Sequence, residues 1–382
     1  MIEVPTSDES SFRIAFKKWL NANAPIEPEP HDENERFLFR RNWLATLSQG
    51  GFSGITWPTE YGGRGEPPTS QIAFYEELAR VNAPFIINYP GLLLLGPTLM
   101  VHGTEQQKMT LLPRILSGED IWCQCFSEPD AGSDLNSLRT RAFIDGDEVV
   151  ITGQKIWTTW GHFADKSIVL CRIGEGFGRD TITMVMVDLR QPGVLVRPIR
   201  QITGESEFAE VFFDGARAPI SNIIGGVGEG WKVATTLLEF ERSDLGFTDH
   251  AKLFWRLGQV AQRIQSRRES ETGLKIESLR ERFITVWSYC QILKRGNMAM
   301  LRSIESGEKI GFKGSLLKTY YSRVIQAVAL LEADSSGLDV CLDSPDGFNL
   351  LASRAATIYA GTSEIQKNIL SERLLGLPRE KV

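Results

Sequence analysis

The sequence predicts a mainly α-helical protein with a central β-domain. Apolar residues recur at helical spacing in residues 1–120 and 229–382, whereas residues 121–228 contain short β-branched runs between turn residues. Helices, then strands, then helices give three segments rather than repeated strand–helix–strand units. The 382 residues are enough for a helical N-terminal domain, a small β-domain and a C-terminal helical bundle.

Bulk composition narrows the class of protein. Apolar content of 42% and charged content of 24% are ordinary for a globular chain, and the net charge of −6 argues against a nucleic-acid binder. No apolar run reaches the roughly 18 residues of a membrane span, and the N-terminus lacks secretory-signal features. The five cysteines and four histidines show no metal-ligand spacing. We therefore expect a cytoplasmic protein without a metal site or a membrane span.

The first segment combines helices with one long loop. "SQIAFYEELARV" at 70–81 has helical apolar spacing, and "WPTEYGGRGEPP" is a loop by its glycine and proline density.

The middle segment consists of predicted strands. They are "DEVVITGQKIWTT", "KSIVLCRI", "TITMVMVDL", "GVLVRPI" and "AEVFFDG". "IDGDE" adds an Asp-Gly hairpin signal, and Cys123 and Cys125 are expected to pack as two residues of one strand. Strands at this spacing predict a small antiparallel barrel or sandwich.

The last segment contains four long helical stretches, which predict a bundle. "GGVGEG" at 225–230 does not have the spacing of a dinucleotide-binding glycine motif, so we interpret it as a strand-to-helix connection.

Two polar stretches could contact a ligand. "CQCFSEPDAGSDLNSLRT" places Ser127 and Ser133 among small residues, where hydroxyls and backbone N–H groups can approach closely. In "GQKIWTTWGHFAD", Trp157 and Thr159 point to one side of an extended chain. They could stack on a planar ring and bond its edge, or form a buried tryptophan beside a cross-strand threonine.

Four motifs in order carry a resemblance to a known family: "SEPDAGSD", "GQKIWTTWGHFAD", "NIIGGVGEGW" and "IYAGTSEIQ". With these motifs, and with "GITWPTEYGGRG" and "GTEQQKMTLLPRILSGE" before them, the sequence resembles the acyl-CoA dehydrogenase family of flavoproteins over nearly its whole length.

The resemblance implies an N-terminal helical domain, a central β-domain and a C-terminal four-helix bundle, with FAD between the last two. Ser127 and Thr159 would bond the flavin, and Trp157 would pack against its ring. Thr362 and Glu364 would contact the dinucleotide part of FAD, across a subunit boundary.

The resemblance also implies where an acyl-CoA substrate lies. Ser133 would sit near the thioester, Arg242 near the CoA moiety, and Tyr359 and Ala360 beside the acyl group. The backbone N–H of Ala360 would polarise the thioester carbonyl together with a ribityl hydroxyl of the flavin.

The implied reaction is α,β-dehydrogenation, in which a carboxylate takes the α-proton and the β-hydride passes to flavin N5. Many family members carry that glutamate at the position of Ala360, which cannot accept a proton. A smaller group, including isovaleryl-type enzymes, supplies it from a bundle helix immediately before an arginine, as Glu241 precedes Arg242 here. Glu239 lies about 200° away around the helix and cannot share one pocket with Glu241. The alternative role of Glu241 is a helical surface ion pair.

Departures from the family bear on assembly. Family members often carry a glutamine and a Gly-Gly pair before the last helix, which cradle the FAD of the partner subunit. Here that stretch reads "CLDSPDGFNLLASRAA" and has neither feature. The Arg-Phe-Gly element of the family's bundle is also missing, and "RRESETGLK" is at best a weak remnant of it. We therefore predict a heterotetramer with a related subunit, as in bacterial relatives that degrade steroid side chains. A homo-oligomer is the alternative.

The sequence thus predicts an FAD-dependent acyl-CoA dehydrogenase of fatty acid or steroid degradation, with Glu241 as base and an electron-transferring flavoprotein as acceptor. "FIINYPGLLLLGPTL" is expected to line the acyl pocket. The rivals are a flavin oxidase or monooxygenase on the same fold, and a flavin-binding or structural subunit that completes a partner's site.

Overall fold

The computed structural model describes residues 11–266, 273–342 and 344–379, without the side chains of 243–248 and 273–275. The stretch "RRESETGLK" therefore lies outside the residues whose side chains are described. The chain divides into two compact units. One comprises Met1–Ala24, Pro67–Ala83 and Arg242–Val382, and the other comprises Pro25–Glu66 and Pro84–Glu241.

The first segment is helical, as predicted. Its helices are α1 (Ser11–Asn23), α2 (Glu33–Gln49), α3 (Ser70–Arg80), α4 (Gly96–His102) and α5 (Glu105–Ser117). The predicted helix at 70–81 is α3. Asp32 caps α2 by accepting from the N–H groups of Asn34 and Glu35, and Thr104 and Gln107 form a capping box at α5. A π-helical turn, Pro90–Leu95, leads directly into α4.

The middle segment forms one eight-stranded sheet in the order β6-β7-β3-β2-β4-β5-β8, with β1 added beside β4. The strands are β1 (Trp122–Cys125), β2 (Arg141–Asp145), β3 (Glu148–Thr159), β4 (Lys166–Ile173), β5 (Ile182–Asp188), β6 (Val194–Ile199), β7 (Phe208–Pro219) and β8 (Ile223–Ile224). The predicted hairpin joins β2 to β3: Asp145 pairs with Glu148, and Gly146 has φ +62° in the two-residue turn. Cys123 and Cys125 are both buried in β1, as expected.

The sheet is mainly antiparallel but not closed. Between the described residues, no pairing joins the outermost strands β6 and β8, so the sheet is not a barrel. Two pairs, β1–β4 and β2–β4, run parallel. β1 pairs with the first half of β4 and β2 with its end, so the long loop between β1 and β2 leaves β4 and then rejoins it farther along.

The last segment is helical: α6 (Gly230–Ser266), α7 (Gly273–Glu305), α8 (Phe312–Ser336), α9 (Pro345–Ala352) and α10 (Ser363–Arg373). The glycine-rich stretch 225–230 connects β8 to α6, as predicted, and Gly225 and Gly228 both have φ +79° there. Among the helices of the described ranges, none has the length and apolar character that crossing a membrane requires.

Each unit has its own apolar core. In the sheet-containing unit, buried side chains such as Trp122, Val169 and Val211 join residues from α2, α5 and the start of α6 in one cluster. In the other unit, the core lies between α6, α7 and α8 and includes Leu257, Leu293 and Tyr321. These cores fix the strands and helices that carry the predicted site residues.

Candidate active site

The structure brings Ser127 next to Trp157. The loop after β1 runs beside β3, and the Ile156 N–H donates to the Ser127 carbonyl at 3.0 Å. Trp157 is the next residue along β3. The two positions expected at a flavin ring are therefore neighbours on the sheet-containing unit.

A β-bulge exposes Trp157. The register of β3 against β7 shifts between Lys155 and Thr158, so two residues of β3 oppose one residue of β7. Trp157 has φ +60°, its side chain is 55% exposed, and its ring meets Phe208 edge-on at 6.0 Å. Thr158 is buried and Thr159 is half-buried. The prediction of a simple extended backbone at Trp157 is wrong, because this residue lies in the bulge with a left-handed conformation. The buried-tryptophan alternative is also wrong.

A buried ion pair fixes the loop around Ser127. Lys155 is fully buried, and its ammonium donates to the Phe126 carbonyl at 3.0 Å and to Glu128 Oε1 at 2.8 Å. Glu128 also accepts from the N–H groups of Arg139 at 2.6 Å and Thr140 at 2.9 Å. One ammonium thus bonds both chain neighbours of Ser127.

The pKa values of this pair reflect its burial. Burial lowers the pKa of the Lys155 ammonium, although Glu128 opposes that change. Burial alone would raise the pKa of Glu128, but the charge and hydrogen bond of Lys155 outweigh it and lower that pKa. The carboxylate therefore stays charged in its hydrogen-bonded position.

Ser133 is exposed on the same loop, beyond the ion pair. A second buried cation anchors this part of the chain: Arg172 on β4 donates to the Leu138 carbonyl at 2.8 Å and to the Gly178 carbonyl at 2.8 Å. The loop is therefore held at Glu128 and at Leu138, and Ser133 lies exposed between these two points.

The two glutamates of "LLEFERSD" lie on α6. Glu239, Glu241 and Arg242 are each half-buried. A Cβ added at Gly314 on α8 would lie 3.3 Å from Arg242 Cβ, so α8 passes close to the helix at this point.

The loop before α10 has a left-handed backbone. Ala360 has φ +52° and Gly361 has φ +82°. Lys318 on α8 is buried and donates to the Gly361 carbonyl at 2.8 Å, while the Gln366 amide donates to the Ala360 carbonyl at 2.9 Å. The Tyr359 hydroxyl lies 3.3 Å from that of Tyr321.

Thr362 and Glu364 begin α10. The Thr362 hydroxyl caps the helix by accepting from the Ile365 N–H at 3.2 Å, and it can still donate its own hydrogen. Glu364 is exposed in the first turn. A hydroxyl and N–H groups at a helix N-terminus are suited to phosphate or hydroxyl groups of a dinucleotide.

Each unit, taken by itself, has residues that suit one part of a flavin dinucleotide. An exposed indole beside a serine loop offers a stacking surface with polar groups at its edge, and the start of α10 offers further polar groups. In the described ranges, no cluster of three or more histidine, cysteine, aspartate or glutamate side chains is placed to hold a metal ion.

A separate surface cavity lies in the sheet-containing unit. Its lining includes Arg36, Phe37, Trp160, His162 and Glu207. None of the predicted site residues lines this cavity, so it carries no argument about the reaction.

Sequence reasoning missed the buried groups behind the site: Lys155, Glu128, Lys318 and Gln366. A signal was present for the two lysines. Lys155 occupies an inward position of an alternating strand, and Lys318 lies one turn before Tyr321 and Ser322 on an apolar helix face.

Comparison with known proteins identifies the family. Residues 6–119, 123–216 and 228–375 match the N-terminal, middle and C-terminal domains of acyl-CoA dehydrogenases. Acyl-CoA dehydrogenase IpdE1 of Mycobacterium tuberculosis is 39% identical over 392 residues, which cover 98% of this chain and 99% of that protein. FadE34 of the same organism is 34% identical over 87% of this chain, which corresponds to 46% of its own length.

Solved structures agree with this result. The ChsE4–ChsE5 complex from M. tuberculosis contains a chain that is 27% identical with a TM-score of 0.86, and the alignment covers 100% of both chains. The Tcur3481–Tcur3483 steroid ACAD is 26% identical with a TM-score of 0.82 and covers 96% of this chain and 97% of that one. The chain therefore belongs to the acyl-CoA dehydrogenase family and is an enzyme of that family.

Proposed function

We propose that this chain catalyses the FAD-dependent α,β-dehydrogenation of an acyl-CoA thioester, with Glu241 as the base that takes the α-proton. When bound, FAD supplies the hydride acceptor at N5 for the β-hydrogen. Ser127, Trp157 and Thr159 hold and orient the flavin ring. The Ala360 N–H binds the thioester carbonyl, where negative charge develops as the proton leaves.

The observation that carries the proposal is the exposure of Trp157. A large aromatic side chain in an αL backbone is costly, and it persists only where the surrounding structure imposes it. Here the bulge holds the indole 55% exposed on a strand, next to the loop of Ser127. Such a rigid, exposed aromatic surface is what stacking on a planar cofactor ring requires.

Glu241 is proposed as the base for two reasons. It directly precedes Arg242, as the base does in family members that supply it from a bundle helix, and Ala360 removes the alternative carboxylate from the C-terminal loop. Removal of a weakly acidic α-proton needs a carboxylate base, and α6 supplies one at this position.

Glu239 provides a matched control for this assignment, because it is half-buried on the same helix but about 200° away around the axis. We expect Glu241→Gln to slow acyl-CoA-dependent bleaching of bound flavin by about 10²- to 10⁴-fold, with FAD content unchanged. Glu239→Gln should stay within about threefold of wild type. Near-normal bleaching in Glu241→Gln would exclude Glu241 as the base.

We also propose a heteromeric assembly and a bulky, ring-bearing acyl group. Large apolar side chains are exposed near the C-terminal end, including Leu338 at 86%, Leu342 at 67% and Ile358 at 65%. Burial of these three side chains against a partner subunit is part of the proposal. Two similar solved structures are a two-protein complex, ChsE4–ChsE5, and a steroid ACAD, Tcur3481–Tcur3483.

Flavin content tests the assembly. The chain purified alone should hold well under one FAD per chain and should gain FAD when a related subunit is co-expressed. Full occupancy in the chain alone would refute the heteromer. The acyl group is tested by comparing straight, branched and steroid acyl-CoAs with an artificial electron acceptor.

Two further measurements separate the rivals. We propose that electrons leave to an electron-transferring flavoprotein, so reduced enzyme should react slowly with oxygen. Rapid reoxidation by oxygen would favour an oxidase or monooxygenase. A chain whose flavin is never bleached by an acyl-CoA, alone or with its partner, would instead be a structural subunit.

A further inference from the structure

The loop before α10 contains two consecutive left-handed residues, Ala360 at φ +52° and Gly361 at φ +82°. Glycine adopts this conformation easily, but the Cβ of alanine makes it unfavourable. Such strain persists only where neighbouring groups determine the backbone. The conformation of Ala360 therefore needs a structural cause.

Two buried side chains supply that cause. Lys318 donates from Nζ to the Gly361 carbonyl at 2.8 Å and to the Ala356 carbonyl at 3.1 Å. Gln366 donates from Nε2 to the Ala360 carbonyl at 2.9 Å and to the Gly361 carbonyl at 3.3 Å. Three carbonyl groups of one loop are thus held by donors from α8 and α10.

The packing at this point is tight. A Cβ added at Gly361 would lie 2.5 Å from Gln366 Nε2, so the amide can reach the loop only because this residue is glycine. Lys318 and Gln366 are both at most 1% exposed, so water does not compete for their hydrogen bonds.

The N–H of Ala360 is left available to a ligand. Within the described part of the chain, no acceptor bonds this N–H. A backbone donor of this kind normally finds a partner. A thioester carbonyl would be such a partner.

We propose that Lys318 is a positioning residue for the dehydrogenation: with Gln366 it holds Ala360 in its left-handed conformation and so presents the Ala360 N–H to the thioester carbonyl. The inference rests on the proposed function, which assigns that N–H to the carbonyl. Lys318 does not touch the substrate in this proposal. An ammonium on a long stem suits the task, because it can donate to two carbonyls from the neighbouring helix.

The test is a double-variant cycle in the full-length, FAD-saturated protein, with its partner subunit where FAD requires one. Lys318→Met keeps the length of the side chain but removes its donors. Hydrogen exchange of a peptide spanning residues 356–366 reports on the loop. We expect Lys318→Met to speed exchange there by about tenfold or more. In the Ala360→Gly background, Lys318→Met should change the exchange rate of this peptide by about threefold or less, because glycine takes this backbone conformation unaided.

Two controls lie on α8. Lys313→Met removes a half-buried lysine that donates to Glu308 and Ser303, and Val328→Ala weakens the buried core. Neither should change exchange of the 356–366 peptide selectively. If Lys318→Met does not fold, Gln366→Met serves in the same cycle, because it removes the donor to the Ala360 carbonyl.

Kinetics give a second measurement. Lys318→Met should lower kcat by about tenfold to a hundredfold with KM within about threefold, and Ala360→Gly should restore part of that loss. Equal effects of Lys318→Met in both backgrounds would overturn the proposal, since Lys318 would then only pack. A wild-type protein that no acyl-CoA reduces would refute the proposed function and the catalytic role of Lys318. The exchange cycle tests the hold on the loop separately.

Discussion

Glu76 on α3 lies in a buried cluster of charges, and its removal gives a quantitative prediction. Its carboxylate pairs with Arg13 from α1 and with Lys294 from α7 at 2.5 Å, and His250 Nε2 of α6 lies 3.9 Å away. Arg13 also pairs with Glu77 at 3.1 Å. The side chain of Glu76 is 9% exposed, so solvent screens these contacts weakly.

The pKa of Glu76 measures the strength of this cluster. Burial alone would raise it, but the contacts of His250, Arg13 and Lys294 outweigh burial and lower the pKa from 4.5 to about 2. At about 1.4 kcal/mol per pH unit, that difference corresponds to about 3 kcal/mol of folding stability. Because the folded pKa is depressed, this contribution is complete above about pH 5 and is lost as the pH falls towards 2. At pH 3, about 1 kcal/mol remains.

Glu76→Gln removes the charge at nearly constant shape. We expect it to lower the free energy of unfolding by about 3 kcal/mol at pH 7 and by about 1 kcal/mol at pH 3. Urea unfolding followed by circular dichroism measures the difference in unfolding free energy between wild type and variant at each pH. Glu277→Gln, at an exposed position of α7, is the control. A difference in unfolding free energy below about 1 kcal/mol at pH 7, or a difference that grows on acidification, would refute this reasoning.

Two further predictions follow from buried and exposed groups. Lys155→Met leaves the Glu128 carboxylate buried without its ammonium, so urea unfolding should show a loss of about 3–5 kcal/mol, and a loss below about 1 kcal/mol would contradict the pairing. Cys341 is exposed, so a maleimide should label the native protein there first, as judged by peptide mass spectrometry. The remaining thiols are buried and should react only on unfolding: Cys123, Cys125, Cys171 and Cys290. Equally fast labelling of a second cysteine would contradict that burial.

Local patterns in the sequence were enough to predict the order of the three segments, helical, then β, then helical, and several of their elements. Helical spacing predicted α3, and the Asp-Gly pair predicted the hairpin between β2 and β3. These features depend on residues close in sequence, whose propensities and turn chemistry can be read directly. The parallel pairing of β1 and β2 with β4 could not be predicted, because it depends on the path of a long loop.

The same distinction, between features set by nearby residues and features set by distant partners, holds at the site. Trp157 and Ala360 could be named from motifs, but their left-handed backbones could not, since each depends on distant partners. The bulge at Trp157 arises from the register between β3 and β7. At the C-terminal loop, the Gly361 carbonyl accepts from Lys318, which lies 42 positions before Ala360 in the sequence, and the Ala360 carbonyl accepts from Gln366.

These conformations bear on the function. The described residues other than glycine with positive φ are Asn82, Trp157, Trp160 and Ala360. Two of the four are predicted site residues, and buried lysines hold the backbone beside both: Lys155 next to the bulge, and Lys318 at the C-terminal loop. Strain of this kind is retained where a group must be presented in one orientation. If Trp157 serves to stack on a ring and Ala360 to donate its N–H, flexible backbones at these positions would lose the alignment that the reaction needs. We therefore expect the two buried lysines to influence the reaction through the backbone that they hold, as well as to stabilise the fold.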